Sequence, residues 1–314
     1  MSAPPPPDPS EAPPGPPAAP SPADPAPAIV AALRAAGCVF AEDEARLLAA
    51  AASTPAELDG LVRRRASGLP LEHVLGWAEF CGLRVAVGPG VFVPRHRTEF
   101  LARQATALAW PGAVVLDLCC GSGALGAAVA AAVGQLDLHA ADVDPAAVAF
   151  ARRNVAAAGG RVYAGDLYQA LPGGLRGRVD VLIANVPYVP TGQVALLPPE
   201  ARVHEPRAAL DGGPDGLDVL RRVTAGAPQW LAPGGHLLSE VTAGQAAQAA
   251  RCFAGQGLVP RVTSCAELDA TVVTGTRAAA GPGTGPPGGP AAVPSAASGT
   301  GAGAGPSRPA PSRQ

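Results

Sequence analysis

Lysine is absent: all 23 basic residues of the 314 are arginine. Together with the excess of Ala, Gly and Pro, this reads as the codon bias of a GC-rich bacterial genome, and it says nothing of mechanism. Aromatic residues make up only 4% of the chain and the net charge is −2, with no long basic block. A basic, aromatic-rich surface for binding nucleic acid is therefore not expected. The short run Arg63, Arg64 and Arg65 reads as a solvated helix face. The six cysteines form no CxxC pair, which argues against a zinc site or a disulfide framework, and no metal is expected. No basic segment followed by an apolar one opens the chain, and the Ala-rich stretch 123–133 is too short to span a bilayer. A cytoplasmic protein without a membrane partner is the expectation.

What is present falls into five segments. Residues 1–27 and 278–314 are Pro-, Ala-, Gly- and Ser-rich tails that bury too little apolar surface to order, so both are expected to be disordered. Residues 28–66 carry Ile29, Leu33, Leu47, Leu48, Leu58, Leu61 and Val62 at helical spacing, which predicts a small domain of two or three helices. Residues 67–99 alternate Gly and Pro with β-branched pairs and read as a linker with a hairpin, roughly Glu79–Val85 against Val91–Val93. From 100 to 277 apolar runs alternate with helical stretches. The runs are AVVLDL (113–118), LDLHAAD (136–142), RVYAG (161–165), VDVLIAN (179–185) and HLLSEV (236–241), and LVPRVTS with ATVVTGT reads as a closing antiparallel hairpin. This pattern predicts an α/β fold with a mostly parallel sheet, whose ligands bind beyond the carboxyl ends of the strands.

The informative residues are then those that follow each strand. After the first comes DLCCGSGALG, in which Gly121, Gly123 and Gly126 match G-x-G-x-x-G, and Asp142 ends the second strand. A nicotinamide-dependent oxidoreductase fits that much. Asp117 argues otherwise, because a carboxylate at the turn repels a pyrophosphate and suits a cationic ligand such as S-adenosyl-L-methionine. Asp166, after the third strand, offers an acceptor for an adenine amino group. Single carboxylates at strand ends are usually caps, but three on successive strands favour the methyl donor.

After the fourth strand stands NVPYVPTG (185–192). A planar amide nitrogen is a weak nucleophile, because its lone pair is delocalised into the carbonyl. Two acceptors aimed at its N–H bonds can hold it toward a methyl group. Asn185 supplies one through its side-chain oxygen and Val186 another through its carbonyl, while Pro187 stiffens the loop and Tyr188 offers a ring face. A rigid strand-to-loop turn is the competing reading of N-x-P-Y taken alone.

From Leu61 to Arg277 the chain resembles the protein-(glutamine-N5) methyltransferases, which modify the Gln of the Gly-Gly-Gln loop in release factors. LGWAEF, PGV and VPRHRTE resemble the family's L-G-x-x-E-F, P-G-V and I-P-R-P-x-T-E; DLCCGSG resembles D-L-G-T-G-S-G, NVPY resembles N-P-P-Y, and HEPRAAL resembles E-P-x-x-A-L. Cys119, Val186 and His96 stand where the family has Gly, Pro and Pro. The resemblance implies a Rossmann-like class I S-adenosylmethionine-dependent methyltransferase fold. It implies donor contacts from Asp117, Gly121, Ser122, Gly123, Asp142, Asp166 and Asn185. It implies acceptor contacts from Asn185, Val186, Pro187 and Tyr188, with Glu205 shaping the acceptor pocket. The implied partner is a release factor or another translation-related protein. Methylation of an adenine amino group in nucleic acid and a non-catalytic binding role are the alternatives on the same fold.

Overall fold

The computed structural model describes residues 26–279. The two tails read as disordered lie outside the described residues, apart from the few at their inner edges.

Four helices come first: α1 (Pro27–Ala35), α2 (Ala41–Ala51), α3 (Pro55–Ala66) and α4 (Leu71–Leu75). The start of α3 is written in S-T-P-A-E: the Thr54 hydroxyl accepts from Glu57 N–H at 3.2 Å, and Glu57 reaches back to Ser53 N–H at 2.8 Å. Pro55 costs nothing there because its missing N–H lies in the first turn. Leu33, Ala41, Ala45, Leu48 and Val74 form the buried core of these helices, with Leu58, Leu61 and Val62 packed against it. Val74 lies on α4, beyond the helical stretch that the periodicity marks. Arg65 departs from the solvated face expected of it: it is 6% exposed and salt-bridged to Glu44.

The hairpin is tighter than its predicted form. β1 (Trp77–Phe80) pairs antiparallel with β2 (Leu83–Ala86) through Cys81 and Gly82, at φ of 50° and 74°. A two-residue turn with both φ positive reverses the chain at once, and its twist suits the flanking strands. Val91 and Val93, expected to be the second strand, are instead buried in extended linker, where Val91 carbonyl meets His73 Nε2 at 2.9 Å.

The main sheet has seven strands in the order β5-β4-β3-β6-β7-β9-β8. They are β3 (Val114–Leu118), β4 (Asp137–Asp142), β5 (Arg161–Ala164), β6 (Val179–Ala184), β7 (Leu231–Val241), β8 (Leu258–Cys265) and β9 (Ala270–Arg277). β3 to β7 run parallel, and β8 and β9 form the antiparallel end. Every residue of β3 is buried, as expected of a central strand covered on both faces. The helices are α5 (Glu99–Thr106), α6 (Ala124–Val133), α7 (Pro145–Asn154), α8 (Pro199–His204), α9 (Asp218–Trp230) and α10 (Ala246–Ala254). One face of the sheet packs on Leu220, Val223 and Trp230 of α9 and Phe253 of α10, the other on Leu101 of α5 and Val129 of α6. The strand order reverses between β3 and β6. A crevice opens there, which is where sheets of this kind take ligands.

Candidate active site

A cavity of about 680 Å³ occupies that crevice, within the size of ligand clefts, roughly 300–1,000 Å³. One wall is the turn after β3. Cys119, Gly121 and Gly123 all take positive φ, of 58°, 54° and 76°. A Cβ added at Gly121 meets nothing within 4 Å, so its backbone lies open on the cavity side, whereas one at Gly123 would press on Ala151 at 3.1 Å. Asp142 fixes the turn from below: Oδ2 accepts from Gly121 N–H at 2.8 Å and Oδ1 from Asp144 N–H at 2.9 Å. Burial raises its pKa, against the pull of those backbone donors. Ser122 is 2% exposed, and its carbonyl accepts from Asn154 Nδ2 at 2.8 Å. Asn154 also pairs with both the N–H and the carbonyl of Ala86, which ties the hairpin to the turn.

Asp117 is placed differently from its expected contact with a ligand. It is fully buried, it does not line the cavity, and its Oδ2 accepts from Gly126 N–H at 2.9 Å. The approach at Gly126 is tight, since a Cβ there would stand 3.2 Å from Asp117 Oδ2. Burial pushes the Asp117 pKa up to about 7, with Gly126 N–H acting the other way and Asp142 adding to the rise. Asp117 thus braces the turn from beneath. Asp166 does line the cavity, and Arg222 of α9 forms an ion pair with it at 2.5 Å.

Asn185, Val186, Pro187 and Tyr188 form the opposite wall. Their loop is strapped to residues 210–213: Val189 N–H donates to Leu210 carbonyl at 3.1 Å, Gly212 N–H to Val189 carbonyl at 2.8 Å, and Thr191 N–H to Gly213 carbonyl at 2.9 Å. Gln245 Nε2 donates to the Tyr188 carbonyl at 2.9 Å. Val186 is 2% exposed and belongs to the core beneath. Asn185 Oδ1 is buried and has no hydrogen-bond partner among the described residues. The Tyr188 hydroxyl meets Arg97 and donates to Glu240 Oε1 at 3.1 Å. Burial, then the Glu240 charge, pushes its pKa well above the usual phenol range.

Glu205 also stands apart from its expected place. It is 6% exposed and off the cavity wall; one oxygen accepts from Val93 N–H at 3.1 Å, and both accept from Arg95 Nη2, at 2.7 and 2.6 Å. Its pKa is raised by burial and held back by Arg95. Glu205 therefore anchors the linker, and Arg95 beside it faces the cavity.

The sequence reading named no site role for Phe92, Arg95, Arg97 and Thr98 of the linker, for Arg222, or for Leu197 and Pro198, all of which line the cavity. It also passed over Glu240, behind Tyr188. For Glu240 the signal is present: it stands one residue before the end of β7, as Asp117 does in β3, and the strand-end rule applies to it equally. The linker residues follow no strand of the main sheet and so carry no such signal, although VPRHRTE is among the motifs of the resemblance. Among the described residues no three His, Cys, Asp or Glu side chains gather as a metal site, and no helix is long and apolar enough to cross a membrane.

Residues 83–213, which hold both walls of the crevice, match the family Methyltransferase small domain. A release factor glutamine methyltransferase of Geobacter sulfurreducens is 42% identical over 200 residues, 63% of this chain and 69% of its own. One of Mycolicibacterium smegmatis is 41% identical over 229 residues, 71% of this chain and 80% of its own. A 4-amino-L-phenylalanine/4-methylamino-L-phenylalanine methyltransferase of Streptomyces pristinaespiralis is 37% identical over 203 residues, 62% of this chain and 69% of its own. By fold, by the motifs around its crevice and by these relatives, this chain belongs to the release factor glutamine methyltransferase family.

Proposed function

We propose that the protein methylates the side-chain nitrogen of a glutamine in a protein, with S-adenosyl-L-methionine as donor and the Gly-Gly-Gln loop of a release factor as acceptor. The observation that carries this reading is Asn185 Oδ1, buried at the cavity without a partner among the described residues. A loop serving only as a rigid turn would gain about 1–3 kcal/mol by satisfying that acceptor or losing it. An acceptor held open beside a tyrosine ring suits an incoming amide N–H.

The residues of the crevice fit the donor. The open backbone at Gly121 allows close approach, Asp142 is placed to take ribose hydroxyls, and Asp166 would exchange Arg222 for an adenine amino group. When bound, S-adenosyl-L-methionine supplies a methyl group on a positively charged sulfur. The acidic lining contributed by Asp142 and Asp166 suits that charge. On the acceptor side Asn185 takes one N–H of the amide, the Val186 carbonyl takes the second, and the Tyr188 ring supports the plane. Held so, the nitrogen would present its lone pair in line with the methyl–sulfur bond. It would gain the methyl group as that bond breaks and its electron pair returns to sulfur, leaving a neutral thioether, and it would give up one N–H proton to solvent. Positioning does most of this work.

Two variants of this chemistry are to be separated from it. The family's small-molecule relative from Streptomyces pristinaespiralis acts on an aromatic amine, and adenine amino groups share the acceptor geometry. Labelled methyl transfer to purified release factor, free amino acid and nucleic acid in parallel separates them. Label on one glutamine peptide of the release factor, with the mass gain of a single CH₂, is the expected result. Asn185→Ala should lower transfer on the order of 100-fold while calorimetry finds donor affinity within about twofold of wild type. Full turnover by that variant, or label in nucleic acid or free amine alone, would overturn the reading.

A further inference from the structure

The five parallel strands each end in a polar side chain at or near the crevice, and four of these are accounted for: Asp117 on β3, Asp142 on β4, Asp166 after β5 and Asn185 after β6. The fifth is Glu240, near the end of β7. It is 2% exposed, and among the described residues its Oε2 has no hydrogen-bond partner. All its contacts pass through Oε1, which accepts from the Tyr188 hydroxyl at 3.1 Å and stands 3.3 Å from Arg97 Nε. Arg97 in turn reaches the Tyr188 hydroxyl, with its guanidinium carbon 5.5 Å from the centre of the tyrosine ring. Both Arg97 and Tyr188 line the cavity, whereas Glu240 lies behind them.

A buried carboxylate with one idle oxygen is costly to keep, and an apolar residue would pack there without the cost. What Glu240 adds is geometry. It is the one carboxylate in contact with Arg97 among the described residues, and it fixes the far end of the Tyr188 phenol. The tyrosine ring is thereby held at its hydroxyl by Glu240 and at its backbone by the Gln245 amide. The linker is pinned to the same point through Arg97, so one oxygen sets two elements of the acceptor wall. The donor wall is built from β3, β4 and β5, and none of its carboxylates touches Glu240.

We infer that Glu240 is a positioning residue for the acceptor, acting through Tyr188 and Arg97, and that it governs use of the acceptor without governing donor binding. The inference rests on the proposed glutamine methylation. Its test measures kcat, acceptor KM and donor Kd for wild type, Glu240→Gln, Tyr188→Phe, Arg97→Gln and the Glu240→Gln/Tyr188→Phe double variant, with a release factor as acceptor. Glu240→Gln keeps the shape and an acceptor oxygen but removes the charge that holds Arg97. It should lower kcat/KM for the acceptor by about 10-fold or more, with donor Kd within about twofold of wild type. Because the residues act as one unit, the loss should shrink to less than about threefold in the Tyr188→Phe background. Arg97→Gln cuts the same contact from the half-exposed side, without altering a buried group, and should reproduce the selective loss if Glu240→Gln folds poorly. Unchanged acceptor kinetics in both Glu240→Gln and Arg97→Gln would overturn the inference. So would losses from Glu240→Gln and Tyr188→Phe that simply multiply, or a donor Kd that weakens in step with kcat/KM. Wild-type protein that leaves the release factor unmethylated overturns instead the reading beneath it.

Discussion

Cys119 holds a backbone conformation that its family gives to glycine. At φ of 58° an L-residue brings Cβ close to the following carbonyl, at a cost of about 1–2 kcal/mol. The strain persists because the turn is determined from both sides, by β3 before it and by the Asp142 contact to Gly121 after it. The thiol compensates in part by packing against the core beneath the sheet. Burial, followed by the charges of Asp142 and Asp117, pushes its pKa far above the ordinary thiol value, and Cys120 shifts the same way. Burial thus disfavours the thiolate at both sulfurs. Cys119→Gly relieves the strain but adds about 0.5–1 kcal/mol of chain entropy to the unfolded state. The expected net gain is up to about 1 kcal/mol, seen as a rise of roughly 2–4 °C in Tm. Cys119→Val, β-branched at a positive φ, should lower Tm instead. A glycine variant that melts below wild type would show that thiol packing outweighs the strain.

At the scale of elements, the acceptor loop is shaped by its strap as much as by its own prolines. Gly212 is a close point: a Cβ there would lie 2.6 Å from both the Pro187 and the Gly216 carbonyls, backbone atoms with little room to retreat. Gly212→Ala should therefore displace Pro187, lower kcat on the order of 10-fold or more, and leave donor affinity within about twofold, by calorimetry beside a turnover assay. The strap also marks where the sequence stops being readable. β3, β4, β5 and β6 are legible because each is a short apolar run with Gly, Asp or Asn at or shortly after its end. The closing pair β8 and β9 is legible because two β-rich runs flank a short turn. α9 is not, since Gly226 and Pro228 read as breakers, yet the helix carries Pro228 inside it near its end, at the cost of that residue's N–H. Half of the site is legible by the same logic: the turn after β3 and N-x-P-Y announce themselves at strand ends. Asp117 and Glu205 were legible as residues but not as roles, because burial moved each behind the wall it supports. Arg97 and Glu240 meet across 143 positions (240 − 97) of chain, a pairing that no local pattern encodes.

For the molecule as a whole, one guanidinium joins the N-terminal helices to the cavity wall. Arg65, at the end of α3, binds Glu44 of α2 through Nε at 2.5 Å and Nη2 at 3.1 Å, and donates from Nη1 to the Leu69 carbonyl at 3.0 Å. The same Nη1 lies 2.7 Å from Glu200 of α8, which lines the cavity with Leu197 and Pro198. Only an arginine fork serves three partners in these directions, so Arg65→Lys is not a conservative change. The two carboxylates differ in environment, and that difference separates stability from function. Glu44 is 8% exposed, and Arg65→Met would leave its charge buried and unpaired, at a cost of about 3–5 kcal/mol and a marked fall in Tm. The Glu200 side chain is 46% exposed, so Glu200→Gln should cost less than about 1 kcal/mol. What Glu200→Gln releases is α8, and with it the wall that an acceptor loop must pass. Its expected signature is an acceptor KM raised severalfold, with Tm and donor Kd near wild type. Thermal melts and steady-state kinetics on the two variants decide the matter: equal stability losses, or an unmoved acceptor KM in Glu200→Gln, would mean that Arg65 only holds the helices together and does not set the wall.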